Sequence, residues 1–105
     1  MFKSAFIIMA PDGDPAKHRV TIKTSKAEIT TVFIEGRNFD QAVKVCRDLV
    51  QKEGAQAFVL CPGFTYEAVA RVTSAVGEGV PIFVARGDMP NMMLLNEIIT
   101  REGFI

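Results

Sequence analysis

Tryptophan is absent from this 105-residue chain, and tyrosine occurs once, at Tyr66. Single-stranded nucleic acid is held on aromatic faces in series, so that function has no support here. Neither sign of charge dominates: twelve basic residues balance twelve acidic ones. With no basic run or patch, the sequence predicts neither a nucleic-acid partner nor an anionic membrane surface. Cysteine is scarce. Two cysteines, Cys46 and Cys61, do not make a disulfide framework. One falls in a helical stripe and the other at a strand end, which suits reduced thiols and a cytoplasmic location. The apolar run Ala5 to Ala10 is far too short to span a membrane. Lys3 ahead of it faintly imitates a signal peptide, but Pro11-Asp12-Gly13-Asp14 follows with no small-residue cleavage pattern. No dinucleotide, phosphate-loop, serine-hydrolase or zinc-protease motif is present. No cofactor and no metal is expected. Asp12 and Asp14 flank Gly13, but two carboxylates in a short loop read as turn residues and fall short of a calcium or zinc pattern.

What is present is a core. Apolar residues make up 49% of the chain, enough to exclude disorder, and the length fits one domain over residues 1–105. The first strand spans Phe2 to Ala10; its continuously apolar centre is typical of a strand covered on both faces. Turn signals fill Pro11 to Lys17. Arg19 to Thr24 alternates, with Val20 and Ile22 pointing one way. Glu28 to Glu35 alternates too, with Ile29, Thr31 and Phe33 opposite Val32 and Ile34. These two strands are expected to pair as an antiparallel hairpin, although their turn lacks a glycine.

Asn38 and Gln41 open a helix with capping-box spacing. Phe39, Ala42, Val43, Cys46, Leu49 and Val50 form its apolar stripe, and Gly54 stands where a C′ glycine belongs. Gln56 to Leu60 is a short strand. Thr65 caps a second helix, Tyr66 to Val76, whose inner face reads as Val69, Ala70, Thr73 and Val76. Val80 to Ala85 is a fifth strand. Asp88 caps a last helix, with Pro90 in its first turn and Met92, Leu95, Ile98 and Ile99 as its buried stripe. Strand and helix alternate in the later part, which predicts parallel strands joined by right-handed crossovers. The expected fold is α/β: a mixed, mostly parallel five-stranded sheet with three helices on its faces, in the order β-β-β-α-β-α-β-α. An α+β two-layer sandwich, with all helices on one side, is the alternative.

In such a sheet, ligands sit outside the carboxyl ends of the strands. That rim collects Pro11-Asp12, Glu35-Gly36-Arg37, Cys61-Pro62-Gly63 and Arg86-Gly87-Asp88. Helix N-termini there favour anions, and a cysteine there can ionise more readily. Cys61 is the candidate nucleophile. Gly63, Phe64, Thr65, Arg86, Asp88, Asp12 and His18 are the candidate ligand contacts: Arg86 for a carboxylate or phosphate, and Asp12, His18 or the nearby Glu67 for proton transfer. Each also has a plain structural reading, as core, cap, turn or surface residue.

The chain also resembles a family of small uncharacterised prokaryotic α/β proteins, a domain of unknown function with a Cys-x-Gly-Phe motif. The resemblance rests on Phe2-Lys3, Pro11 through Asp14-Pro15 to His18-Arg19, Leu60-Cys61 with Gly63-Phe64, Val69-Ala70-Arg71-Val72 and Val80-Pro81. Pro62 stands where a second glycine is expected, which stiffens the loop. The resemblance implies a soluble cytoplasmic α/β protein and carries over no catalytic residue.

Three functions follow. The first is binding of a small, anionic ligand at the carboxyl ends of the parallel strands. The second is an isomerase, racemase or lyase using Cys61. The third is self-association through the last helix, where Met92, Met93, Leu94 and Leu95 exceed what one small sheet needs to cover.

Overall fold

The computed structural model describes residues 1–104. Five strands and three helices follow in order: β1 (Phe2–Ala10), β2 (Arg19–Lys23), β3 (Ala27–Glu35), α1 (Phe39–Glu53), β4 (Ala57–Leu60), α2 (Tyr66–Val76), β5 (Ile82–Val84) and α3 (Asn91–Arg101). The strands form one sheet in the order β2-β3-β1-β4-β5. β2 runs antiparallel to β3, and the other pairings are parallel. The α/β class, the element order and the mixed sheet are those the sequence predicts.

The connections decide the layers. From β3 to β4 and from β4 to β5 the chain steps in the same direction across the sheet. Right-handed crossovers of one direction place both helices on one face. The core confirms this placement: Ala5 and Ile7 of β1, Val32 and Ile34 of β3, and Phe58 and Leu60 of β4 are buried with Ala42, Cys46 and Leu49 of α1 and Ala68, Val72 and Val76 of α2. Among the described residues the opposite face has no such cover, and Phe2, Val20, Ile22 and Phe83 on it are exposed. The expectation of helices on both faces is therefore corrected. Apolar residues on both sides of β1 do not by themselves reveal whether a second helix layer exists.

Local chemistry accounts for the element ends. Asn38 Oδ1 accepts from the Gln41 N–H at 3.0 Å, but Gln41 returns its side chain to the Glu35 N–H at 2.7 Å instead of closing the capping box. Gly54, at φ 78°, ends α1 in the left-handed conformation. Gly54 N–H then donates to Val50 O, the bond of the αL motif, and Ala55 N–H donates to Leu49 O. The hairpin turn uses a threonine in place of glycine: Thr24 Oγ1 accepts from the N–H groups of Lys26 and Ala27 at 3.2 and 2.9 Å.

Two helix faces differ from expectation. In α2 the buried row is Ala68, Val72 and Val76, at i, i+4 and i+8. Ala70 and Thr73 are exposed, and the Thr73 hydroxyl returns to the Val69 carbonyl at 2.8 Å. In a segment this apolar, two overlapping stripes fit helical spacing and packing selects one. In α3 no residue is buried, so its stripe is not part of this core. Asp88 does not cap that helix. Pro90 occupies the N-cap position with no side-chain cap. The Asp88 carboxylate lies two residues too early and takes the Arg86 guanidinium, at 3.2 and 3.3 Å.

Candidate functional site

The four parallel strands end at one edge, as the rim hypothesis requires, but the candidate residues divide there. Asp12 and His18 come together. They line a depression of about 430 Å3 with Ala10, Gly13, Lys17, Arg19, Val20, Thr31 and Phe33. Strand alternation and register put Ala10, Val20, Thr31 and Phe33 on the helix-free face: Ala10 lies two residues beyond Ile8, the partner of Phe33, and Val20 pairs with Thr31. The depression thus has an apolar floor at the carboxyl end of β1 and β3 and a polar rim from the 11–18 loop.

Several contacts shape that loop. The Ala10 carbonyl accepts from the N–H groups of both Gly13 and Gly36, at 3.0 and 2.8 Å, which ties the loop to the end of β3. A Cβ at Gly13 would stand 2.2 Å from the Ile34 carbonyl oxygen, closer than any real side chain comes. Asp14 Oδ1 accepts from the Ala16 N–H at 2.9 Å, an Asx turn. His18 Nδ1 accepts from the Asp14 N–H at 3.0 Å. The neutral imidazole therefore carries its proton on Nε2, where it is available as a donor. The Arg19 guanidinium faces the helix side instead. It forms two bonds with Glu53 of α1, at 2.5 and 3.0 Å, and this pairing raises the guanidinium pKa further. Arg19 is therefore already partnered.

The Cys61 group lies elsewhere. Cys61 and Phe64 are buried, and Phe64 packs on Phe39 with ring centroids 5.4 Å apart. Burial pushes the Cys61 thiol above its ordinary pKa, and backbone hydrogen bonds at Gly63, Met9 and Cys61 oppose the shift without cancelling it. This is the reverse of the activation a nucleophile at a helix N-terminus needs. Gly63 does not open onto ligand space: a Cβ there would stand 3.1 Å from Met9 Sδ and 3.7 Å from Cys61 Sγ. Thr65 caps α2, its hydroxyl accepting from the Ala68 N–H at 3.1 Å. Arg86 and Asp88 form a solvent-exposed pair beyond β5.

Two further depressions lie on the helix side. One, about 390 Å3, runs between the 14–19 loop and α1 and is edged by Lys44, Asp48, Lys52 and Glu53. The other, about 460 Å3, lies on the outer surface of α1 and α2 around Val43, Ala70 and Arg71. None of the three depressions is lined by Cys61, Gly63, Phe64, Thr65, Arg86 or Asp88. Among the described residues, no group of three or more His, Cys, Asp or Glu is placed to hold a metal ion, and no helix is long and apolar enough to cross a membrane.

Sequence reasoning missed Lys17, Val20, Thr31 and Phe33 as site residues. The available signal was the alternation that puts Val20 on one side of its strand, and Thr31 and Phe33 together on theirs. It becomes a site only when register brings these rows beside the 11–18 loop.

A family model described as a family of unknown function (DUF6506) matches residues 2–99. No curated protein and no solved structure matches the chain.

Proposed function

The chain belongs to this family of unknown function, and on its geometry we propose that it binds a small organic acid in the depression above β1 and β3. One observation carries the reading: an apolar floor of Ala10, Val20 and Phe33 meets a rim bearing Lys17, His18 and Asp12. A volume of about 430 Å3 suits a small ligand. Lys17 supplies a cation and His18 Nε2 a donor for a carboxylate, while Asp12 accepts from a ligand hydroxyl or amine. Arg19, held by Glu53, fixes the loop and leaves recognition to Lys17 and His18. Thiol chemistry finds less support, because Cys61 is buried and its pKa is raised.

The test is dye-monitored melting against a panel of small carboxylic acids. At about ten times Kd, binding adds about 1.4 kcal/mol and raises Tm by roughly 5–10 °C. Lys17→Ala and His18→Ala are expected to diminish this shift, and Cys61→Ser to preserve it. A panel without effect, or a shift indifferent to Lys17 and His18, contradicts the reading.

A second reading, self-association through α3, is favoured by one observation. Met93, Leu94, Leu95 and Ile98 are all exposed on a helix with no buried residue. Leu94→Glu is then expected to weaken a dimer, as measured by sedimentation; a dimer indifferent to the substitution contradicts this reading.

A further inference from the structure

The helix-free sheet face is apolar across all five strands. Phe6 and Ile8 share it with Val20, Ile22, Phe33 and Phe83, by the alternation and register of the strands. Ile22 is 62% exposed, Phe83 60% and Val20 58%. The strand positions on this face carry no charged residue except Glu35, at the carboxyl edge. Arg19, Lys23 and Glu28 fall on the helix side, where Arg19 reaches Glu53 and Lys23 reaches Glu28.

Size points the same way. The chain exposes 6842 Å2, against roughly 5,800 Å2 for a compact monomer of its 11.5 kDa. The excess, about 1,000 Å2, is close to what each partner contributes to a stable interface, about 800 Å2. The radius of gyration is 13.9 Å, against about 12.9 Å for a compact chain of this length. Part of the excess is α3. An isolated helix of 11 residues is marginal in water and needs a surface to pack on.

We propose that the chain forms a homodimer in which a second copy covers the open face of the sheet, with α3 forming part of the contact. The occupant is a second copy because one chain supplies both halves: an uncharged sheet face and an amphipathic helix with an unburied stripe. Zero net charge removes the repulsion that opposes self-association. The inference goes beyond the α3 reading by assigning the surface opposite the helix, and rests on it in treating α3 as a contact element. Ala10, Val20, Thr31 and Phe33 lie on the covered face, so the second copy would also wall the ligand depression.

Sedimentation equilibrium of the full chain tests this. The wild type is expected at twice the chain mass, and Ile22→Glu and Leu94→Glu each at the chain mass, with unchanged circular dichroism because both positions are exposed. A wild type that stays monomeric up to its solubility limit overturns the proposal, including the case where it binds lipid vesicles instead. A dimer that survives Ile22→Glu overturns the assignment of the sheet face, even if Leu94→Glu dissociates it. A dimer that survives Leu94→Glu alone overturns the part given to α3. Ligand binding is scored separately by melting, so failure of that reading is distinguishable.

Discussion

Gly13 lies against the Ile34 carbonyl so closely that a Cβ on it would stand 2.2 Å from the oxygen. The contact involves backbone, so no side-chain rotation relieves it. Gly13→Ala must therefore push the 11–18 loop off the end of β3 or strain it in place. Overpacking of this kind costs about 1–3 kcal/mol. The expected outcome is a lower urea midpoint together with loss of any ligand-induced melting shift, because the same loop carries Asp12, Lys17 and His18. Wild-type stability in Gly13→Ala would show that the loop is not held there.

The two buried thiols are expected to be slow to alkylate. Cys46 is pushed up to about 12 by burial, and Cys61 is raised by burial as well. Each unit of upward shift lowers the thiolate fraction about tenfold at neutral pH. Iodoacetamide at pH 8 should therefore label Cys46 at least about tenfold more slowly in the native protein than in the urea-unfolded chain, and native Cys61 more slowly as well. Rapid labelling of native Cys61 would restore the thiol-enzyme reading.

The same shift fixes a pH dependence. A thiol whose pKa is raised in the fold keeps its proton there while the unfolded chain loses it. Stability from this source is complete below about pH 8.5, where an unfolded thiol ionises. It falls as pH rises toward about 12, where Cys46 ionises in the fold. Urea midpoints should decline through this window, and Cys46→Ala should decline less steeply than the wild type. Parallel pH profiles would show that Cys46 titrates alike in both states.

Helix capping separates two residues that look equivalent in the sequence. Thr65 caps α2 through its hydroxyl, and Thr65→Ala should cost about 1 kcal/mol. Asp88 caps nothing and pairs with an exposed arginine, so Asp88→Ala should stay within about 0.5 kcal/mol. Equal losses in denaturant unfolding would contradict the assignment.

These cases show where the sequence was legible. Periodicity separated Val32 and Ile34 from Ile29, Thr31 and Phe33, and identified the Ala42, Cys46 and Leu49 stripe, because both patterns follow from local geometry. Strand order and sidedness were less legible. An apolar residue such as Ile8 satisfies the same alternation whether a helix or solvent lies above it. Leu95 and Ile98 fit an amphipathic helix whatever surface that helix meets. Asp12 and His18 were visible as candidates; Lys17, Val20 and Phe33 became site residues only through the β2–β3–β1 register.

The most direct measurement is the 15N-amide chemical-shift map of the protein titrated with a carboxylic acid that raises its Tm. The account predicts saturable shifts at Asp12, Lys17, His18, Val20, Thr31 and Phe33, lost in Lys17→Ala. Shifts centred instead on Cys61–Thr65 or on Arg86 would contradict it.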